Sequence, residues 1–247
     1  MKRLFILLLA ALLLTGCGGD VLPSNPYAPA DFGYDGDYLT CLTADCALGV
    51  DVSSHQQVID WEAAAAAGIE FAMIRIGYRG YSQGEIREDA CARANLEGAK
   101  AAGLKVGAYF FSQAISREEA AREAAWCITY LEGYELDLPL VFDWEHVTDA
   151  SARTAGLTDR ALLTACARTF MEIAEAAGYE AMVYFNGYQS RELFDLEALA
   201  DYGFWFAQYS DGLDFPYAVD LWQYTESGSV PGIPGKVDLD LWFPTAE

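Results

Sequence analysis

The chain has 247 residues and is strongly acidic, with 37 Asp and Glu against 15 Lys and Arg and a net charge of −22 at pH 7. So negative a surface argues against binding to nucleic acid or to anionic lipid head groups. The two histidines and the absence of a Cys-x-x-Cys pair argue against a zinc site, and we expect no cofactor.

The first twenty residues, MKRLFILLLAALLLTGCGGD, predict a secretory signal. Two basic residues precede an apolar run over residues 4–14, which is too short for an ordinary membrane span. The run ends in Leu-Thr-Gly-Cys, which resembles the bacterial lipobox and would make Cys17 the acylated first residue of a lipoprotein. An ordinary signal peptide that contains a cysteine is the alternative. We assign residues 1–17 to a lipoprotein signal, and expect an exported protein held on a membrane surface by its acyl chain.

Residues 18–46 are rich in Pro, Gly, Asp and Tyr and show no sustained apolar periodicity, so they predict a flexible tether. Cys41 and Cys46 could close a small disulfide loop there, because an exported chain permits disulfides. The other cysteines of the exported chain lie among alanines on predicted helices and are expected to be buried thiols. They are Cys91, Cys127 and Cys166.

Residues 47–247 form the predicted domain, which repeats one design: an alanine-rich helix, then glycine, then an apolar strand. Asp60 marks the start of one helix, and Ser116 with Glu119 forms a capping box at the start of another. Each predicted helix ends where a glycine can adopt a positive φ. These glycines are Gly68, Gly103, Gly178 and, in a looser version of the pattern, Gly133.

Alternating strands and helices imply parallel βα units, and eight strands can be counted. The last three leave too little chain between them for full helices. The sequence therefore predicts an α/β fold, an irregular TIM-like (β/α) barrel with helices lost between the last three strands. A doubly wound sheet is the alternative, but the phosphate-binding glycine loop that often accompanies it is absent. The strands are predicted near 47–52, 70–76, 105–111, 138–145, 180–186, 203–208, 219–224 and 236–242.

Acidic residues end several of these strands. The stretch LPLVFDWEHV is an apolar strand that finishes with Asp143 and Glu145, two residues apart and so on one face. Asp51 ends the first strand, and Asp238 lies on the last, which is its neighbour in a closed barrel. Because catalytic groups of barrels sit at the rim formed by the strand C-terminal ends, we expect these four acids to form a catalytic site.

Paired carboxyl groups suit acid catalysis on a glycosidic bond. One carboxyl must stay protonated to donate to the leaving oxygen, and a neighbouring carboxylate raises its pKa. The other, Asp143, is expected to stay ionised and to stabilise positive charge at the sugar carbon. For a lone acid a solvated loop position is the simpler interpretation, and we apply it to Asp240.

Aromatic and amide side chains follow the strands, as a sugar cleft requires: rings stack on pyranose faces, and amides bond to hydroxyls. Core packing is the alternative for about half of them, because alternation turns every second strand residue outward. The candidate substrate-binding residues are Tyr109, Phe111, Tyr184, Asn186, Trp205, Gln208, Trp222 and Gln223, and Tyr224 adjoins the last two.

Six stretches of the domain resemble the family 25 glycoside hydrolases, the Chalaropsis-type lysozymes: GVDVSSHQQVIDW, RIGYRG, VGAYFFS, VFDWE, YFN and LWQYTESGSVPGIPGKVDLDLW. The match runs over about residues 49–242. The resemblance implies an irregular α/β barrel that cleaves the β-1,4 bond between N-acetylmuramic acid and N-acetylglucosamine in peptidoglycan. It also implies that Glu145 is the general acid, that Asp143 stabilises the cationic intermediate, and that Asp51 and Asp238 support them.

On this interpretation the partners are peptidoglycan glycan strands and, through the lipid anchor, the membrane; the protein is expected to be a monomer facing the cell wall. Two positions depart from the family pattern and could alter subsite preference. His55 stands where an aromatic or polar residue is common, and Phe110 follows Tyr109. A glycan-binding barrel without turnover and a hydrolase of another N-acetylated glycan, such as chitin, are the alternative functions.

Overall fold

The computed structural model describes residues 22–244, so the predicted signal and Cys17 lie outside the described residues. The helices are α1 (Trp61–Ala66), α2 (Ala92–Ala101), α3 (Arg117–Tyr130), α4 (Arg160–Ala176) and α5 (Gly187–Glu192). The strands are β1 (Phe32–Asp35), β2 (Tyr38–Cys41), β3 (Ala47–Val52), β4 (Phe71–Arg79), β5 (Ile86–Glu88), β6 (Lys105–Ser112), β7 (Leu140–Trp144), β8 (Ala181–Asn186), β9 (Gly203–Ala207), β10 (Leu221–Gly228) and β11 (Val237–Trp242).

Eight of these strands close a barrel in the order β3-β4-β6-β7-β8-β9-β10-β11, with β11 pairing back to β3. All eight lie near their predicted positions. The connections 208–220 and 229–236, which join the last three strands, contain no helix. The predicted α/β barrel with helices lost between its last three strands is therefore confirmed.

The last strand runs against the others. From β3 through β10 the neighbouring barrel strands are parallel, whereas β11 is antiparallel to both β10 and β3. The eight-residue connection 229–236 explains this reversal, because a parallel crossover needs a dozen or more residues. As a consequence, β11 presents its first residues, not its last, at the rim where the other strands end.

Local signals place the helix ends. The Asp60 carboxylate accepts a hydrogen bond from the Ala63 amide, and the Ser116 hydroxyl accepts one from the Glu119 amide. These side chains satisfy amides that have no partner inside the helix. The four predicted glycines all adopt a positive φ, between 85° and 98°. The predicted helix starts and glycine ends are confirmed, but the capping box is only half formed, because the Glu119 carboxylate accepts from the Ile115 amide.

Apolar side chains form two clusters on the two sides of the barrel wall. Along β4, Ala72 and Ile74 belong to the layer between strands and helices, whereas Phe71 and Met73 point into the barrel. This alternation is the period of a strand. Large side chains fill the interior, which makes the barrel a packed core and leaves polar groups to its mouth. Among residues 22–244, no helix is long and apolar enough to cross a bilayer.

The prediction of a flexible tether over 18–46 is wrong for the part of that segment within the described residues. Strands β1 and β2 form an antiparallel hairpin, with Phe32 opposite Cys41 and a two-residue turn at Gly36 and Asp37. Leu39 and Phe32 are buried, and the Phe32 ring meets the edge of Trp222 at 4.9 Å between centroids. The hairpin buries an apolar face that a search for long-range periodicity overlooks, because each strand has only four residues.

The cysteines of the described chain are free thiols. The Cys41 amide donates to Cys46 Sγ at 3.2 Å, which holds the chain in a tight loop without a disulfide. Cys127 and Cys166 are buried on α3 and α4, as predicted, whereas Cys91 lies half-buried at the start of α2.

Candidate active site

The four predicted acids lie together at the mouth of the barrel. Asp51 near the end of β3, Asp143 on β7, Glu145 just beyond it and Asp238 on β11 all line one cavity of about 660 Å³. Asp238 stands directly opposite Asp51 in the antiparallel pairing of β11 with β3. The predicted meeting of the first and last strands is confirmed, although Asp238 reaches the rim from the beginning of its strand.

Asp240 also points into the barrel, so its predicted solvated position is wrong. Residues two apart on a strand share a face, and Asp240 therefore follows Asp238 inward. Its side chain is fully buried and accepts a hydrogen bond from Trp205 Nε1 at 2.8 Å. Burial, followed by the charge of Asp238, raises the pKa of Asp240 well above its usual value. The barrel mouth thus brings Asp240 together with the four predicted acids.

Gln223 organises one side of the mouth. Its Nε2 donates to Asp51 Oδ2 at 2.7 Å, and its Oε1 accepts from the hydroxyls of Tyr184 at 3.0 Å and Tyr209 at 3.1 Å. With both ends of the amide engaged, the side chain has one orientation. Burial and the charge of Asp238 raise the pKa of Asp51 well above its usual value, and the bond from Gln223 opposes that shift.

Glu145 has its pKa close to neutrality. Burial, followed by the negative charge of Asp238, raises its pKa to about 7. The direction agrees with the prediction, but the cause is different: desolvation comes first and Asp238 second. A carboxyl with this pKa can donate a proton at neutral pH and take one back.

Asp143 lies in surroundings that oppose the ionised state predicted for it. Its side chain is 4% exposed, and its Oδ1 has no hydrogen-bond partner among the described residues. Burial, followed by the charge of Glu145, raises the pKa of Asp143 well above its usual value, and Arg75 works in the opposite direction. Desolvation was missed at the sequence level, because an acid at a strand end is indistinguishable there from one in solvent.

Arg75 is the cation nearest this group of acids, and the sequence analysis did not select it. It lies on β4 two residues after Met73, and so on the inward face. Its guanidinium contacts Asp89 Oδ2 at 2.7 Å and donates to Ser54 Oγ at 3.3 Å. The alternation that places Met73 inside the barrel is the signal that could have found Arg75.

Two glutamines hold the strand end that carries the acids. Gln113 Nε2 donates to the Glu145 carbonyl at 2.9 Å, and Gln189 Nε2 donates to the Trp144 carbonyl. Trp144 faces away from the mouth, and its Nε1 donates to the Ala114 carbonyl at 3.1 Å. These bonds fix the backbone on both sides of β7, which is what positions Asp143 and Glu145 on their common face.

Most predicted substrate-binding residues are in the cavity wall. The aromatic residues alternate with core residues along their strands, as a strand requires. The predicted residues that line the mouth are Tyr109, Phe111, Tyr184, Trp205 and Gln223, together with His55. Tyr78, Tyr81, Tyr209 and Glu226 also line it and were not predicted.

Three predicted binding residues lie elsewhere. The Asn186 side chain caps α5 by accepting bonds from the amides of Tyr188 and Gln189. Gln208 Oε1 accepts from the Asp214 amide at 3.0 Å, and Trp222 packs outward under the N-terminal hairpin. Asn186 satisfies a helix N-terminus, Gln208 orders its own loop, and Trp222 is turned out because its neighbour Gln223 is turned in.

The arrangement suits acid–base chemistry on a substrate that enters the barrel mouth. A protonated carboxyl, a second carboxyl beside it and tyrosine and tryptophan rings around them are the groups that glycoside hydrolysis needs. Residues 22–244 contain no group of three or more His, Cys, Asp or Glu side chains placed to hold a metal ion.

Comparison with known proteins gives a consistent result. The family described as glycosyl hydrolases family 25 matches residues 50–233. The autolytic lysozyme of Clostridium acetobutylicum is 27% identical over 196 residues, which are 78% of this chain and 54% of that protein. This chain therefore spans about half the length of that relative.

Solved structures resemble the fold closely. The modular autolysin LytC from Streptococcus pneumoniae, in complex with a synthetic peptidoglycan ligand, has a TM-score of 0.69 at 24% identity, over 80% of this chain and 47% of that one. A family 25 glycosyl hydrolase from Bacillus anthracis has a TM-score of 0.69 at 22% identity, over 86% of this chain and 96% of that one. At these identities the likeness concerns the fold.

Proposed function

Because this chain belongs to family 25 of the glycosyl hydrolases, we propose that it is a lysozyme that hydrolyses the β-1,4 bond between N-acetylmuramic acid and N-acetylglucosamine in peptidoglycan. The observation that carries the proposal is the pair of carboxyl groups at the barrel mouth, the buried Asp143 and the half-buried Glu145. The pKa of Glu145, about 7, keeps a proton available where a glycosidic oxygen would need one.

In the proposed reaction Glu145 donates its proton to the leaving oxygen as the glycosidic bond breaks. Positive charge then develops at the sugar carbon, and Asp143, beside Glu145, supplies the compensating negative charge. Asp143 acts in this step as the carboxylate, the form that Arg75 favours, so no proton has to leave it while the glycosidic bond breaks. Glu145, now a carboxylate, takes a proton from the attacking water.

Two routes fit this geometry: direct attack by Asp143 on the sugar carbon, or orientation by Asp143 of the substrate's own acetamido group. The supporting acids have separate tasks in either route. Asp238 keeps the pKa of Glu145 raised, and Asp51 anchors Gln223 and through it the hydroxyls of Tyr184 and Tyr209. The half-exposed rings of Tyr81 and Tyr209 line the cavity and offer faces on which a pyranose would stack.

Release of reducing ends tests this function. The wild-type protein is expected to release them from purified peptidoglycan and not from chitin, and Glu145→Gln is expected to abolish the release. Glu192→Gln, which alters an exposed carboxyl on α5 outside the cavity, is the matched control and should retain wild-type activity. Binding of peptidoglycan without release of reducing ends would favour a glycan-binding barrel without turnover. Release from chitin would favour a hydrolase of another N-acetylated glycan.

We also propose that the protein is exported and anchored by an acyl chain on Cys17. The support is the signal-like sequence that precedes this residue. Cys17→Ser is expected to move the protein from the membrane fraction to the soluble fraction after export. A wild-type protein found soluble with an unmodified N-terminus would contradict the anchor.

A further inference from the structure

A second cavity, larger than the catalytic one, lies against the N-terminal hairpin. Its volume is about 820 Å³, and its wall combines the hairpin with β10, β11 and the connection between them. We call it the hairpin groove and define it by Tyr34, Asp37, Tyr38, Asp211 and Tyr224. The hairpin precedes the family match, which begins at residue 50, so this groove is built partly from chain outside that match.

The hairpin groove and the catalytic cavity meet at one residue. Tyr209 lines both cavities, and its hydroxyl donates to Gln223, which in turn holds Asp51. Beyond Tyr209, β10 contributes to both sides, with Glu226 in the catalytic cavity and Thr225 and Ser227 in the groove. A polymer that extends out of the barrel mouth past Tyr209 would therefore enter the groove.

The groove is a built feature of the fold. The Tyr34 hydroxyl donates to Asp211 Oδ1 at 2.7 Å and the Tyr38 hydroxyl to the Ser229 carbonyl at 3.4 Å, which joins the hairpin to the loops after β9 and β10. Underneath, Tyr224 is 5% exposed and forms part of the floor of the groove.

The chemistry of the wall selects a carbohydrate. Four tyrosines provide flat rings with a polar edge, and Asp37, Asp211 and several serine hydroxyls provide acceptors for sugar hydroxyls and amides. The wall contains no Lys or Arg, so it does not suit an anionic ligand such as a phosphate. It is also too rich in polar groups for an apolar helix or lipid.

We propose that the hairpin groove binds the continuation of the glycan strand whose cleavage the barrel mouth performs. The proposal deepens the proposed function and rests on it. Its consequence is a preference for long glycan strands over short oligosaccharides, since the latter end before they pass Tyr209. The N-terminal segment then acts as a binding element of the enzyme and not only as a cover for Trp222.

The test compares long, peptide-free glycan strands with the shortest oligosaccharide that the wild-type protein cleaves. Tyr34→Ala removes a half-exposed ring from the groove. We expect it to lower the ratio of kcat/KM for the long and the short substrate roughly tenfold, through KM, which corresponds to about 1.4 kcal/mol. Tyr188→Ala, which removes a similarly exposed ring on α5 outside both cavities, should leave the ratio unchanged.

Three outcomes would overturn the proposal: an unchanged ratio in Tyr34→Ala, an equal loss on both substrates with a lowered melting temperature, or a loss seen only with strands that carry stem peptides. Calorimetric binding of the long strands to Glu145→Gln, with and without Tyr34→Ala, separates the two proposals. If the wild-type protein cleaves nothing but these strands still bind more weakly when Tyr34 is replaced, the proposed catalysis fails and the groove stands. If binding does not depend on Tyr34, the groove fails whatever the activity.

Discussion

Two clusters of buried charge lie side by side in this barrel and are built in opposite ways. At the mouth, five carboxyl groups lie together, those of Asp51, Asp143, Glu145, Asp238 and Asp240. Arg75 opposes the rise in the pKa of Asp143 and is itself engaged by Asp89. Four residues further along β4, Arg79 contacts Glu123 Oε1 at 2.5 Å, and Arg153 binds both oxygens of the neighbouring Glu119 at 2.7 Å. We call the first the mouth cluster and the second, with two acids and two guanidinium groups, the paired cluster.

The two clusters differ in what sets the pKa values of their acids, and this difference distinguishes a functional site from a structural one. In the paired cluster burial raises the pKa of Glu123 to about 7, whereas at Glu119 the bonds from Arg153 and from the Ile115 amide, with the charge of Arg79, together outweigh burial and hold the pKa below its usual value. The guanidinium groups of Arg79 and Arg153 also bind the carbonyls of Gly84 and Gln113. In the mouth cluster burial prevails, and all five acids have raised pKa values. Acids that resist ionisation weaken the fold near neutrality, a cost that proteins bear at functional sites.

The largest effect is expected from variants that remove a reacting carboxyl group from the mouth cluster. Glu145→Gln removes the proton donor while keeping the shape of the side chain, and should lower turnover of peptidoglycan by about 10²–10⁴-fold. Asp143→Asn should be comparably damaging, because the sugar carbon loses its counter-charge. Neither variant should melt below wild type at neutral pH, since each removes a buried acid. Turnover near wild type in either variant would contradict its assigned role.

The next effect concerns the paired cluster. Arg79→Met leaves Glu123 buried without its cation, and removing one partner of a buried pair typically costs about 3–5 kcal/mol of unfolding free energy. Burial already raises the pKa of Glu123 to about 7, so protonation of this acid limits the loss and about 3 kcal/mol is expected. Arg87→Met, which breaks an exposed pair with Glu85, should leave the urea midpoint unchanged. Equal midpoints for the two variants would show that the paired cluster does not stabilise the fold.

A smaller effect is the pH dependence of stability. The folded-state pKa of Asp238 is about 6 and that of Glu145 about 7, both above their ordinary values near 4. The folded state therefore binds these protons more tightly than the unfolded state. The stability they contribute is complete below about pH 4 and is lost as pH rises through 6 to 7. Urea midpoints measured across this range should fall with pH, and Glu145→Gln should flatten the curve. A midpoint that rises over the same interval would contradict the raised pKa values.

Much of the fold could be predicted because its signals are local. A helix cap such as Asp60 and a turn glycine such as Gly178 act within a few residues, so the sequence shows them directly. The reversal of β11 was also predictable in principle, since the connection 229–236 is too short for a parallel crossover. The hairpin carried the Gly-Asp signal of a two-residue turn at residues 36 and 37, but its strands are too short to show a period.

The site was predictable only where a residue carries a pattern. Asp143 and Glu145 stand out because two acids end an apolar strand. Gln113 has no such pattern, since its importance comes from a bond to the Glu145 carbonyl across thirty-two positions of the chain. The burial of Asp143 was missed for the same reason: it is produced by side chains from several strands, and no local stretch of sequence contains it.

The smallest predicted effect is a shift in the pH profile, and it tests whether Asp238 and Glu145 have separate tasks in the mouth cluster. After burial, the charge of Asp238 is the cause that raises the pKa of Glu145, so Asp238→Asn should lower that pKa while leaving the proton donor in place. The alkaline limb of the kcat/KM profile, which reports loss of the Glu145 proton, should then move to lower pH. Turnover below the new limb should change far less than in Glu145→Gln. Asp214→Asn, an exposed acid outside both cavities, should leave the limb in place. If Asp238→Asn leaves the limb where it is, burial alone sets the pKa of Glu145, and Asp238 has another task.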